Sequence, residues 1–114
     1  MNVCCIFTGG KEAAAKLNLR NLTLLATLKD SYRHEHCLYE CPSCKGLLFY
    51  KYEEIADFTD DYEFYKETLF PVSSWDEAYR IEKEYPFTGF PDGKPSLSRC
   101  WDSRDEAPGP WWPD

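Results

Sequence analysis

The sequence predicts an α+β fold, a small antiparallel sheet built on a hairpin that a cysteine-bearing turn closes, with flanking helices. Three observations predict it. Cys41-Pro42-Ser43-Cys44-Lys45-Gly46 is a tight turn, and the β-prone run Leu47-Leu48-Phe49-Tyr50-Lys51-Tyr52 leaves it as the second arm of a hairpin. Ser74-Trp75-Asp76-Glu77 is a capping box: Ser74 satisfies an orphan amide while Glu77 reaches back, so a helix starts there. Lys11-Glu12-Ala13-Ala14-Ala15-Lys16-Leu17 has the strongest local helix propensity in the chain.

In chain order, Gly9-Gly10 ends an irregular start and a helix runs to about Asn18. Ala14, Leu17, Leu24, Leu25 and Leu28 share a helical stripe, but Leu22, Leu24, Ala26 and Leu28 alternate, which favours a strand near 21–29. A short segment from His34 enters Cys41, and the hairpin returns through Tyr52. Asp57-Phe58-Thr59-Asp60-Asp61 breaks the chain, and Glu63 to Phe70 reads as a third antiparallel strand ending at Pro71. The capped helix stops before Pro86, with Trp75, Ala78, Tyr79 and Ile81 facing the sheet and Asp76, Glu77, Glu82 and Glu84 on its wet side. Prolines at 86, 91, 95, 108, 110 and 113 make the Pro/Trp-rich segment 86–114 mostly turns and extended chain. Residues 1–114 form one domain, short enough that a metal staple matters to its stability.

Charge narrows the choice of partners. The formal net charge is -7. Residues 1–36 carry five basic and three acidic groups (+2), and residues 37–114 carry eight basic and seventeen acidic ones (-9). Such a surface repels phosphates, so nucleic acid is disfavoured and a basic protein partner fits. No stretch is long and apolar enough to span a bilayer, and Met1 to Phe7 lacks the basic start of a secretory signal, so a reducing cytoplasm is the expected compartment. There, six cysteines read as metal ligands or buried thiols before they read as disulfides.

Two thiolates two residues apart, Cys41 and Cys44, can grip one tetrahedral ion from a single turn. The Cys-Pro-Ser-Cys turn followed by Lys45-Gly46 and a strand resembles the zinc knuckle of rubredoxin-like and zinc-ribbon proteins over residues 37–52. The resemblance implies zinc, backbone amides aimed at the first sulfur, and a glycine whose φ > 0 closes the turn. Such proteins usually bring a second CxxC, which this chain lacks. Cys37 and Cys100 are the first choice to complete the set with Cys41 and Cys44. His34 and His36, which point the same way on a strand, are rivals. So are Cys4 and Cys5, of which only one is expected to face the metal because they are adjacent.

A closed four-sulfur site is structural and leaves no position for substrate. Catalytic readings fit less well. A redox Cys41/Cys44 pair needs its second cysteine in a helix, whereas a β-prone run follows here. A zinc deaminase needs His-x-Glu and then Pro-Cys-x-x-Cys, and His34-Glu35-His36 and Cys41-Pro42-Ser43-Cys44 have the wrong order. There is no HExxH, and Gly9-Gly10-Lys11 lacks phosphate-loop spacing.

Aromatic residues make up 17% of the chain. Core packing explains most of them, but Tyr50 and Tyr52 share the opposite face from Phe49 and Lys51 and need a cover. The N-terminal helix or the tail supplies it, or else the face binds a partner. Trp111 and Trp112 pose the same choice between docking and binding outward. The expected function is a non-catalytic protein-interaction module with structural zinc, of the inhibitor or immunity type that neutralises a basic partner such as a toxin nuclease. Its expected partner-binding residues are Tyr50, Tyr52, Trp111 and Trp112. A thiol-redox or zinc-dependent enzyme using Cys41 and Cys44, and a nucleic-acid-binding zinc ribbon, are the alternatives.

Overall fold

The computed structural model describes residues 4–57, 62–102 and 109–113. Their framework is a six-stranded antiparallel sheet of strictly sequential order: β1 (Thr23–Ser31), β2 (His34–Glu40), β3 (Leu47–Asp57), β4 (Tyr62–Val72), β5 (Leu97–Asp102) and β6 (Trp112–Pro113). Strand accounts for 44% and helix for 23%, and among the described residues α2 (Trp75–Glu84) is the only helix of seven or more residues. The α+β expectation is therefore overturned in favour of a predominantly β fold. The N-terminal helix contracts to α1 (Gly10–Ala15), between 3-10 turns at Cys5–Phe7 and Leu19–Asn21. The proline-rich segment, expected to be mostly turns and extended chain, supplies the paired strands β5 and β6. Leu97, Arg99 and Trp101 alternate with Ser98, Cys100 and Asp102, and the strand pairs with β4 from Leu69↔Leu97 to Phe64↔Asp102. The chain break expected at Asp57–Asp61 falls largely on residues 58–61, outside the described residues, as do 103–108.

Both faces of the sheet are covered, which accounts for the aromatic content. On one face Leu48, Tyr50, Leu69 and Leu97 cluster with Cys4, Ala14, Cys37, Cys41 and Trp111. The N-terminal segment and the tail are thus the cover for that side. On the other, Leu38, Phe49, Phe70 and Val72 meet Ala78 and Ile81 of α2, and Phe70 stacks on Phe49 and on Phe90 with centroids 5.0 Å apart in each pair. Helix α2 starts as its capping box dictates, the Glu77 amide donating to Ser74 Oγ at 3.1 Å.

Its apolar stripe is narrower than expected. Trp75 and Tyr79 point to solvent, 41% and 54% exposed, while Glu82, assigned to the wet side, bonds the buried Nδ1 of His36. Residues 78, 81, 82 and 85 lie on one side of a helix, and that side holds the sheet contact. Lys51, also buried, donates to the carbonyls of Tyr85 (3.0 Å) and Gly89 (2.6 Å), tying the segment after α2 to β3. Burial lowers the ammonium of Lys51 to about 8 and His36 to about 3. Among the described residues no helix is long and apolar enough to cross a membrane.

Candidate metal centre

The hairpin turn brings Cys41 and Cys44 to one end of the sheet. Cys41 N–H donates to Gly46 O at 2.9 Å and Lys45 N–H to Cys41 O at 2.8 Å, closing the loop between β2 and β3. Lys45 takes the left-handed conformation (φ 63°), not Gly46 as the knuckle resemblance implied. Gly46 is needed for space: a Cβ there would lie 3.1 Å from Cys4 Cβ and 3.3 Å from Cys44 Sγ. Gly46→Ala is accordingly expected to weaken the site, costing about 1–3 kcal/mol by overpacking and giving up metal to a competing chelator at lower concentration than the parent protein does. A chelator titration measures this directly.

Two further sulfurs arrive from the N-terminus. Cys4 is extended (φ -53°, ψ 139°), and the chain turns at once into the Cys5–Phe7 3-10 turn, where Phe7 N–H donates to Cys4 O at 3.0 Å. That corner between neighbouring residues swings both thiols to the same side, against the expectation that only one would face a metal. The Sγ atoms of Cys4, Cys5, Cys41 and Cys44 all lie within 4.8 Å of one another. Cys44 and Cys4 are 3.4 Å apart, and Cys5 and Cys41 3.6 Å. Four sulfurs at about 2.3 Å from a tetrahedral zinc stand about 3.8 Å from each other, so the spacing suits an ion at the centre.

Cys4 and Cys41 are buried, Cys5 and Cys44 exposed. The electrostatics favour a cation. Backbone N–H groups of Cys5 and Gly46 point at Cys44 Sγ and lower its thiol to about 6, the Cys5 amide contributing most. The contact with Cys41 raises Cys5 to about 11, and burial raises Cys4. Crowded thiols resist sharing negative charge, and a divalent ion between them reverses that resistance. All-sulfur tetrahedral sites select zinc or iron–sulfur centres over hard cations.

Cys37 and Cys100, the first-choice partners of the knuckle, do not join the cluster. Cys37 faces the core from the middle of β2, opposite Tyr50 and about 13 Å of strand below the turn. Its Sγ donates to Glu35 Oε1 at 3.4 Å, and burial pushes it up to about 12. Cys100 is exposed on β5 opposite Lys66, toward the far end of the sheet. His34 and His36 lie on the other face, where the His34 ring meets Phe87 and His36 meets Glu82. The second half of the site is the adjacent pair Cys4-Cys5, the one other close cysteine pair in the sequence and the signal that stood in for the missing CxxC.

Of the residues expected at a partner surface, Tyr50 and Trp111 are buried, at 6% and 1% exposure. Tyr50 donates to Glu67 Oε2 at 2.5 Å, inside the fold. Tyr52 is half-buried, and Trp112 is exposed with the Lys11 ammonium 5.7 Å above its ring. Comparison with known protein families, with curated proteins and with solved structures gives no match.

Proposed function

We propose that the chain is a non-catalytic protein-interaction module stapled by a structural zinc on Cys4, Cys5, Cys41 and Cys44. Its partner is a basic protein, which it neutralises in the manner of an inhibitor or immunity-type protein directed at a toxin nuclease. The observation behind this reading is the convergence of four sulfurs from two segments, Cys4-Cys5 and Cys41–Cys44, at one point. Four protein sulfurs fill a tetrahedral ion and leave no position for substrate. The net charge of -7 supports attraction to a basic partner and repulsion from nucleic acid. A reducing cytoplasm would keep the thiolates available to metal.

A second reading, thiol-redox chemistry at Cys41 and Cys44, draws on the exposed Cys44 thiol and its lowered pKa of about 6. Native mass spectrometry before and after chelation, with thermal melting alongside, separates the two. One zinc per chain, whose removal collapses the melt, is the expected result. A metal-free chain that reversibly loses two hydrogens on oxidation would replace the first reading with the second.

A further inference from the structure

On the sheet face that carries Tyr50, the half away from the cysteine cluster presents three aromatic rings from three adjacent strands. Tyr65 and Trp101 are register partners on β4 and β5, with centroids 5.4 Å apart. Tyr52 of β3 lies diagonal to Tyr65, its ring stacked at 6.5 Å and an interplanar angle of 11°, and 6.4 Å from Trp101. All three are half-buried, each with part of its surface open.

Carboxylates edge this platform. Glu35 pairs in register with Tyr52 and is exposed. Glu54 accepts the Tyr52 hydroxyl at 2.7 Å, and Glu63 accepts the Tyr65 hydroxyl at 3.2 Å. Arg33 stands 3.7 Å from Glu63 and its charge also acts on Glu54, while the hydrogen-bond donors that Glu35 and Glu54 hold directly are a thiol and a phenol, both neutral. The protein already seats one guanidinium beside the rings. Arg99 lies 5.7 Å from the centre of Trp101 and 4.7 Å from that of Trp111, with Nε donating to Glu67 Oε1 at 2.5 Å.

We propose that the Tyr52–Tyr65–Trp101 platform, with Glu35 and Glu54 at its edge, docks an arginine side chain presented by a basic polypeptide segment. The rings take the planar cation face-on through their quadrupoles, and the carboxylates take its N–H groups, the arrangement Arg99 makes with Trp101, Trp111 and Glu67. This deepens the reading of the chain as a module for basic partners and rests on it. It places the recognition surface at the opposite end of the sheet from the cysteines.

The test is calorimetric titration of the full-length, metal-loaded protein with a short alternating Arg-Gly peptide and with the same peptide carrying neutral citrulline in place of arginine. The arginine peptide should bind and the citrulline peptide should not. Tyr65→Leu should weaken binding about fivefold, the size of an exposed cation–π contact. Glu35→Gln combined with Glu54→Gln should weaken it about tenfold and flatten its salt dependence. Tyr79→Leu, on the exposed aromatic pair of α2, should leave it unchanged. No binding, equal binding of the citrulline peptide, or indifference to both the tyrosine and the glutamate changes would overturn the platform. The glutamate variant keeps the test decisive even if Tyr65→Leu unfolds the sheet. Loss of the platform with a zinc-dependent melt intact rejects this inference alone, whereas a metal-free, redox-active chain rejects the module reading beneath it.

Discussion

Cys4→Ser and Cys5→Ser are each expected to release the metal and abolish the cooperative melt, while Cys37→Ser and Cys100→Ser keep both. Zinc bound by small thiolate sites contributes about 10–16 kcal/mol at neutral pH, as large as the whole stability of about 5–15 kcal/mol for a small domain. A serine hydroxyl is a poor substitute for thiolate, so loss of one ligand removes much of that free energy. It also leaves three crowded thiols, among them the buried Cys41 in either variant. Cys41→Ser and Cys44→Ser should behave alike, because all four sulfurs share one centre. Cys37 is different: its thiol already hydrogen-bonds Glu35, so a hydroxyl there keeps a partner and costs only about 1–3 kcal/mol. Cys100 is exposed, and its change should stay within about 0.5 kcal/mol. Metal content by native mass spectrometry and urea midpoints on the six single variants give the answer. Metal lost from Cys37→Ser and kept by Cys4→Ser would restore the ligand set that spacing alone favoured.

That contrast marks where the sequence was readable. The closeness of Cys41 and Cys44 was legible because both thiols and the turn that places them lie within six consecutive residues. The strand after them and the capped start of α2 were legible for the same reason, since local patterns encode local geometry. The partnership of Cys4 with Cys5 was not. It depends on a backbone corner between two neighbours, and the strand logic that forbids adjacent side chains from sharing a face does not apply at such a corner. Cys37 stands outside the cluster through the period-two rule itself, since four residues of extended strand carry it away from the turn while keeping it on the core face. The extent of the sheet was hidden for another reason. Six prolines in 86–114 argued for turns and extended chain without naming a strand, but between Pro95 and Pro108 runs Leu97–Asp102, long enough to pair with β4 along its outer edge. Glu82 and His36 show the same limit: a carboxylate on a helix reads as solvated until a buried histidine on the sheet is brought to it.

Trp111→Ala is expected to cost about 3–5 kcal/mol, the range for removing a fully buried large aromatic ring, whereas Trp112→Ala should cost less than about 1 kcal/mol. The two neighbours differ because the two-residue strand β6 hydrogen-bonds to Leu97 and Ser98 at the sheet edge, while Trp111, just before it, turns into the core. Its ring is 1% exposed and clusters with Leu48, Leu69 and Leu97, whereas Trp112 is 51% exposed. More than packing is at stake. Arg99 lies against the Trp111 ring, and its partner Glu67 is 4% exposed and also accepts the Tyr50 hydroxyl. Without the indole, water reaches the buried Glu67 end of that ion pair, and the cavity left beside Tyr50 cannot close without moving that network. Trp111→Phe should recover most of the loss. It refills the core with an apolar ring and also removes the indole N–H, which is buried without a hydrogen-bond partner among the described residues. Urea midpoints on the three variants test the argument, and equal stability of Trp111→Ala and Trp112→Ala would mean that the tail does not complete the core.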